Sequence, residues 1–182
     1  MTVEAIGDPW LPEHVRDTAL RRARWVHVAP LVRSDFPRET LAELARGRRV
    51  SLDGQGLVRA SRLGRLVLDG DYDPGVLRHV SILKLAEEEA AIVLGEAVTR
   101  RSLRNLGIPE VIVTLGRRGA LVLGDGRLEE VRTRPLEAAD PTGAGDAFST
   151  AYLVSRSTGL APAAAARRAA SLVEGLLAGR LR

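Results

Sequence analysis

Short apolar runs alternate along the chain with longer amphipathic segments, and this pattern predicts β-strands that alternate with α-helices. The apolar runs predict strands at residues 24–32, 48–53, 80–85 and 109–116. The amphipathic segments predict helices at residues 34–47, 86–95 and 96–107. Ser34 or Asp35 can cap the first of these helices, and Gly47 can end it.

Two further segments are typical of turns between β-strands. Residues 119–133 predict a hairpin, because two β-rich runs flank the dipeptide Asp125-Gly126. Residues 62–75 are rich in glycine and aspartate and predict a second hairpin or a loop.

Strands that alternate with helices indicate an α/β fold, with a mostly parallel sheet covered by helices on both faces. A chain of 182 residues fits one such domain, spanning residues 1–182. Parallel sheets bind ligands beyond the carboxyl ends of their strands. We therefore expect that edge to carry Asp53, Glu87–Glu89, Thr114–Gly119 and the segment that leads to Asp140.

Composition excludes several classes of function. No stretch approaches the ~18 apolar residues of a membrane span, and the N-terminus lacks a basic region followed by an apolar core, so we expect no membrane association and a cytoplasmic location. The absence of cysteine excludes disulfides, thiolate metal sites and thiol catalysis. His14, His27 and His79 are not spaced as zinc ligands, so a zinc site is not expected.

The formal net charge is +4, and almost all of the basic residues are arginines, with Lys84 as the sole lysine. The basic clusters lie within predicted helices and loops and have no aromatic residues between them. Solvated helix faces explain this distribution better than a nucleic-acid surface does, so we expect no nucleic-acid partner.

The segment DPTGAGDAF, residues 140–148, directly precedes an apolar run with helical periodicity. Gly143 and Gly145 let the backbone approach a ligand, and a helix that begins here directs several N–H groups and its positive dipole end at one point. That point attracts an anion. Asp146 either takes a proton from a hydroxyl that attacks a phosphoryl group or only favours the helix start, and the spacing leaves both open.

Four motifs of the chain occur in the order found in the PfkB, or ribokinase-like, family of carbohydrate kinases. DPTGAGDAF resembles the family's D-T-x-G-A-G-D motif, and VIVTLGRRGALV resembles its nucleotide-loop strand. LKLAEEEA resembles the K-P-N-x-x-E segment, and SLDGQGLVR resembles the D-x-Q-G-x-x-R segment. The resemblance implies a ribokinase-like three-layer α/β/α sandwich with a mostly parallel sheet.

The resemblance also implies roles for individual residues. Asp146 matches the catalytic base, and the backbone of Gly143, Ala144 and Gly145, with that of Asp146, matches the anion hole for the transferred phosphoryl group. The residues that match the nucleotide-binding positions are Thr114, Gly116, Gly119 and Thr142. Asp140 and Thr142 lie where some family members bind a monovalent cation, although a turn explains them as well.

The acidic segment matches the family only in part. The implied cofactors are ATP and Mg²⁺, and Glu89 matches the glutamate of the N-x-x-E pair that organises the metal. Ala86 replaces the asparagine of that pair, and alanine has no side-chain ligand. Glu87 can compensate, or the three consecutive glutamates only favour a helix start. Lys84 occupies the family's lysine position, although a surface charge at a strand end explains it equally well.

The family's early motifs are absent from this sequence. A sugar-binding aspartate, a G-G-x-x-x-N segment and a β lid are not found, and Met1–Pro12 has the pattern of a short lead-in. The chain therefore resembles about the C-terminal two-thirds of such a kinase. Asp53, Gln55 and Arg59 can contribute to the substrate side of the cleft, or can serve only a turn and a salt bridge.

These observations lead to one hypothesis and two alternatives. The hypothesis is an ATP-dependent phosphotransferase that acts on a hydroxyl of a sugar or sugar-like alcohol, with a slight preference for a sugar or inositol. The first alternative is a nucleotide-binding module without a complete sugar site. The second is a fragment with an exposed sheet edge, and the same edge could form a homodimer.

Overall fold

The computed structural model describes residues 1–18, 20, 22–133 and 142–179. The strands are β1 Thr2–Val3, β2 Trp25–Val28, β3 Arg49–Asp53, β4 Gly64–Arg65, β5 Ile82–Ala86, β6 Glu110–Thr114, β7 Ala120–Gly124 and β8 Arg127–Val131. The α-helices are α1 Pro12–Asp17, α2 Arg38–Ala45, α3 Gln55–Val58, α4 Glu87–Leu94, α5 Arg100–Asn105, α6 Ala144–Ser157 and α7 Pro162–Leu177. Short 3₁₀ helices cover Arg33–Asp35, Pro74–His79 and Gly116–Arg118.

Six strands form the main sheet in the order β2-β3-β5-β6-β7-β8. The first four run parallel, and β7 and β8 complete the sheet as antiparallel strands. Asp53 pairs in register with Lys84, and Ala86 pairs with Thr114, so β3, β5 and β6 end at the same edge. The predicted α/β class and mostly parallel sheet are thus confirmed, and Asp53, the start of α4 and Thr114 meet at that edge, while the segment that leads to Asp140 lies outside the described residues.

Alternate residues of the central strands face opposite helix layers, as the pleat of a strand requires. Leu83 and Val111 belong to a core that includes apolar side chains of α1, α2, α4 and α5. Ile82 and Ile112 belong to a second core, with apolar side chains of α6 and α7. The sheet therefore lies between two helix layers, which is the three-layer arrangement that the sequence predicted.

The first predicted helix begins later than expected. Ser34 and Asp35 lie in the 3₁₀ helix Arg33–Asp35, and α2 begins at Arg38 after Pro37. The Asp35 carboxylate accepts hydrogen bonds from the backbone N–H groups of Leu31 and Val32 and so closes a local turn. A residue before proline avoids the helical conformation, which keeps Phe36 out of the helix. Asp35 is therefore a turn residue, and the prediction that it or Ser34 caps the helix was wrong.

The N-terminal segment, predicted as a short lead-in, pairs and packs with other parts of the fold. Its strand β1 pairs antiparallel with β4, forming a separate two-stranded sheet. Trp10 stacks on Phe36 with ring centroids 6.0 Å apart, and the Trp10 backbone N–H donates to the Asp35 carbonyl. The segment thus packs against the loop that follows β2.

Strand β2 is one edge of the main sheet, and within the described part of the chain no strand pairs with its outer side. Its residues Trp25–His27 are half-buried. Dimer formation through this edge stays a prediction. Across the described ranges, no helix combines the length and apolar character needed to cross a membrane.

Candidate active site

Helix α6 begins at the sheet edge where β3 and β5 end, and glycine shapes its first turn. Gly143 is the N-cap residue and adopts φ +77°, a left-handed conformation that favours glycine. The first N–H groups of any α-helix have no acceptor within the helix. Over the 14 residues of α6 the peptide dipoles add to a positive end at Ala144–Asp146. The turn therefore has the chemistry of an anion site.

Asp146 lies in this first turn and is exposed. A carboxylate in the first turn interacts favourably with the helix dipole, which is the structural role weighed from the sequence. Its exposure beside the N–H groups is also what a base for an incoming hydroxyl requires. The position of Asp146 fits both roles.

Lys84 and Asp53 form an ion pair beneath the first turn of α6. Lys84 Nζ lies 2.8 Å from Asp53 Oδ1, and the side chains are 12% and 1% exposed. A Cβ atom on Gly145 would lie 3.3 Å from Lys84 Nζ, so the ammonium group lies against the helix backbone. This burial excludes the interpretation of Lys84 as a surface charge at a strand end.

His27, on the neighbouring strand β2, completes a buried polar cluster that the sequence did not reveal. Its Nε2 lies 3.7 Å from Asp53 Oδ2, and its Nδ1 is 3.2 Å from Ser51 Oγ. Burial lowers the pKa of His27, while the negative charges of Asp53 and Asp146 oppose that shift. The sequence signal for a role of His27 was its position near the carboxyl end of a predicted strand. Only the order of the strands in the folded sheet puts His27 beside Asp53.

Glu89 closes the start of α4. Its Oε2 accepts a hydrogen bond of 2.8 Å from the Ala86 N–H, and the residue is 7% exposed. Burial raises the pKa of Glu89, and this hydrogen bond and the charges of Lys84 and Arg59 oppose that shift. Glu89 therefore lies within electrostatic range of the cluster beneath α6.

Glu87 contacts the loop after β6 instead of this cluster. Both of its carboxylate oxygens accept from Arg118 Nη2, at 2.5 and 2.6 Å. This exposed pair links the start of α4 to the 3₁₀ helix Gly116–Arg118.

The end of β6 and the loop after it contain three of the predicted nucleotide-binding residues. Thr114 Oγ1 donates to the Leu85 carbonyl at 3.2 Å and so joins the ends of β5 and β6. Gly116 and Gly119 have φ values of +57° and +101°. A Cβ atom on Gly119 would overlap the carbonyl oxygen of Val131 in β8. Gly119 is thus required by the close approach of two backbones, independently of any nucleotide.

The three residues predicted for the substrate side have different environments. Asp53 is buried in the ion pair with Lys84, and Gln55 Nε2 donates to the Pro30 carbonyl at 2.7 Å, which fixes the loop after β2. Arg59 is half-buried, and its charge acts on Glu89. Their assignment to substrate binding stays a prediction.

An open cleft of about 310 Å³ adjoins the start of α6. Thr142, Gly143, Ala144 and Ala147 form one wall, and Val173, Leu176 and Leu177 of α7 form the other. Its combination of backbone polar groups and apolar side chains suits a ligand with a charged end and a flat apolar end. Asp140, the other predicted cation ligand, lies outside the described residues.

The carboxylates of the described residues do not form a metal cage, since no group of three or more potential ligands occurs among them. Glu89 uses one oxygen to close α4, and Ala86 supplies no side-chain ligand. Mg²⁺ needs only one or two protein carboxylates when phosphates supply the other oxygens. The donor set thus fits a metal ion that arrives on a polyphosphate.

A second buried network fixes α6 at its other end. The Tyr152 hydroxyl donates to Glu110 Oε2 at 2.6 Å, and Arg156 donates to both Glu110 oxygens at 2.8 and 2.6 Å. Glu110 begins β6, so these bonds attach the helix to the sheet across 42 and 46 residues of sequence. This network could not be predicted from the sequence, because its members are far apart along the chain.

Comparisons with known proteins agree with this fold. The model of the pfkB family carbohydrate kinases matches residues 8–173. Inositol 3-kinase of Zea mays is 35% identical over 133 residues, which are 70% of this chain and 33% of that protein. Cytidine kinase of Thermococcus kodakarensis is 30% identical over 164 residues, which are 86% of this chain and 54% of that protein. The chain thus spans between a third and about half of the length of these relatives.

Solved structures show the same fold. A pyrophosphate-dependent kinase in the ribokinase family, complexed with a pyrophosphate analog and myo-inositol, matches with a TM-score of 0.84 and 23% identity over 97% of this chain and 65% of that one. A ribokinase from Thermotoga maritima matches with a TM-score of 0.63 and 22% identity, over 83% of this chain and 50% of that one. These likenesses establish a ribokinase-like fold.

Proposed function

Because this chain belongs to the pfkB family of carbohydrate kinases, we propose that it transfers the γ-phosphoryl group of ATP to a hydroxyl of a small sugar or polyol. The observation that carries the proposal is the start of α6, where backbone N–H groups, Lys84 and the exposed Asp146 adjoin one another. These are the parts that phosphoryl transfer needs, namely positive potential for the phosphate and a base for the hydroxyl.

The γ-phosphoryl oxygens would accept hydrogen bonds from the N–H groups of Gly143–Asp146. The positive end of the helix dipole and the Lys84 ammonium both stabilise negative charge at that point. Since Lys84 lies on the inner side of the turn, the phosphate binds on the outer side, where Gly143 and Asp146 are exposed. This arrangement positions the phosphorus beside the Asp146 carboxylate.

Asp146 would act as the general base. It takes the proton of the acceptor hydroxyl as that oxygen forms a bond to the γ-phosphorus. The bond between this phosphorus and the oxygen that bridges to the β-phosphate breaks, and ADP leaves with that electron pair. The products are ADP and the phosphate ester of the acceptor, and the proton on Asp146 passes to solvent.

The cleft beside Gly143 is the proposed site for the nucleotide part of the donor. Val173 and Leu176 offer apolar contact to a base, while Thr142 and the helix start face the phosphates. When bound on those phosphates, Mg²⁺ would neutralise charge that develops on the leaving oxygens. ATP as donor is also consistent with the cytoplasmic location expected from the sequence.

We infer the acceptor class from the relatives. Two of them are an inositol 3-kinase and a kinase complexed with myo-inositol, and a third is a cytidine kinase, so a compact polyhydroxy compound is proposed. The alternative function is a nucleotide-binding module without turnover. The replacement of the family's asparagine by Ala86 favours that alternative.

Turnover with myo-inositol, cytidine and simple sugars, measured as ADP release by the purified chain, tests the proposal. Asp146→Asn should lower turnover by more than about a hundredfold and leave ATP affinity within about threefold of wild type. Asp17→Asn, an exposed aspartate at the end of α1, is the matched control and should leave both unchanged. ATP binding without turnover on any acceptor would favour the binding module.

A further inference from the structure

The sheet face beneath α6 changes from apolar to polar across neighbouring strands. In β6 and β7 this face carries Ile112 and Val122, which belong to the apolar core of α6 and α7. In β2, β3 and the middle of β5 it carries His27, Ser51, Asp53 and Lys84, while Ile82 at the start of β5 still belongs to the apolar core. His27 pairs in register with Ser51, and Asp53 pairs with Lys84, so the four side chains lie on one face.

This polar layer is costly for the fold. Two charged groups lose most of their hydration. The positive end of α6, which lies directly above Lys84, also repels the ammonium group. Apolar residues of similar volume often replace a buried ion pair without loss of stability. Stability therefore does not explain why the pair occurs at this position.

The Asp53 carboxylate has unused capacity for hydrogen bonds. Neither of its oxygens receives a well-directed hydrogen bond from the described residues, although Lys84 Nζ is only 2.8 Å from Oδ1. The contact with Lys84 is thus a charge pair whose geometry can adjust. On its other side the carboxylate faces His27 Nε2, so it has no open path to solvent.

We propose that Asp53 is a positioning residue that acts through Lys84, holding the ammonium group beneath the anion hole of α6. His27 encloses the other side of the carboxylate. The inference rests on the proposed function and deepens it, because Asp53 then serves the phosphate and does not contact the acceptor. This differs from the substrate-binding role that the sequence suggested for Asp53.

The charges explain how the arrangement favours an anion. Without Asp53, the ammonium group would be repelled by the helix N-terminus and would turn away from it. With Asp53, the pair is neutral overall, and the ammonium group stays within reach of a phosphate above the turn. Anion binding then relieves the repulsion between Lys84 and α6. The affinity for phosphate therefore depends on Asp53, although the phosphate does not contact Asp53.

Calorimetric titration with inorganic pyrophosphate tests this inference on the full chain, independently of turnover. We expect Asp53→Asn and Lys84→Met each to weaken pyrophosphate binding about tenfold, and the double variant to be no weaker than Lys84→Met alone. Thermal unfolding of the double variant, which removes both buried charges, should occur at or above the wild-type Tm. Asp17→Asn is again the control.

If Asp53→Asn does not fold, Asp53→Glu keeps the charge, displaces the ammonium group by one methylene, and should still weaken binding. Wild-type pyrophosphate affinity in Asp53→Asn or in Asp53→Glu would overturn this inference but not the proposed function. Losses that add in the double variant would also overturn it, since Asp53 would then act separately from Lys84. A wild-type chain that binds no pyrophosphate would overturn the anion hole, and the proposed function with it.

Discussion

Gly145 and Lys84 fit together because the helix residue has no side chain. A Cβ atom at residue 145 would lie 3.3 Å from Lys84 Nζ, which is closer than most Cβ contacts. The glycine of the first turn of α6 therefore leaves room for the charge beneath the helix, as well as for the phosphate proposed above it.

Gly145→Ala should displace the Lys84 ammonium group and weaken donor binding about tenfold, with little change in Tm, because alanine is a better helix former than glycine. Gly159→Ala is the matched control. Gly159 follows the other end of α6 at φ +93°, so its substitution should lower Tm and leave donor affinity unchanged. Calorimetry and thermal unfolding of both variants check this prediction, and an unchanged donor affinity in Gly145→Ala would contradict it.

Glu110→Ala should destabilise the chain by about 3 kcal/mol, because Arg156 would keep a buried charge without its counter-charge. Tyr152→Phe removes one hydrogen bond to Glu110 and leaves the ion pair intact, so a loss of about 1 kcal/mol is expected. Urea unfolding measures both values. Equal losses would mean that the charge pair is no more important than the hydroxyl.

We expect the free energy of unfolding to decrease when the pH falls below the ordinary pKa of histidine, because of His27. Burial lowers the pKa of His27 below its ordinary value of 6.5, so the unfolded state binds more protons as pH falls below 6.5. The free energy of unfolding therefore decreases with falling pH in the window between 6.5 and the lower folded-state pKa. His27→Gln should reduce that decrease, measured by urea unfolding at about pH 7.5 and about pH 5.5. An identical pH dependence in the variant would contradict the assignment.

Glu89→Gln tests whether the buried carboxylate serves the fold or the reaction. Glutamine can still accept the hydrogen bond from the Ala86 N–H, while the cost of burying a charge disappears. We expect the Tm at neutral pH to stay the same or rise, and turnover with Mg²⁺ and ATP to fall. A lower Tm with full turnover would show that the charge of Glu89 stabilises the start of α4 and does no more.

Local pattern predicted the parts of the fold that depend on neighbours in sequence. The strand that ends at Asp53 was predicted from its apolar run, and the turn at Asp125-Gly126 from its residue types. Asp125 and Gly126 indeed have φ values of +49° and +72°, as a two-residue hairpin turn requires. Such features need no knowledge of strand order.

The parts that failed depend on contacts between distant segments. Asp35 resembles a helix cap in sequence, but its carboxylate accepts hydrogen bonds from the N–H groups of Leu31 and Val32 instead of from a helix. The position of His27 beside Asp53 requires β2 to lie next to β3, and hydrophobic periodicity carries no information on that order. The family resemblance supplied the candidate site, and only the three-dimensional neighbours distinguish Asp53 from a surface carboxylate.

The close approach of Gly119 to Val131 has a consequence for how donor preference could diverge. Any side chain at residue 119 would push against the β8 backbone, so this residue has little freedom to vary. The cleft at the start of α6 has one wall of α7 side chains, among them Val173 and Leu176, which can change size without moving the sheet. A change of phosphate donor during evolution is therefore expected to begin in α7.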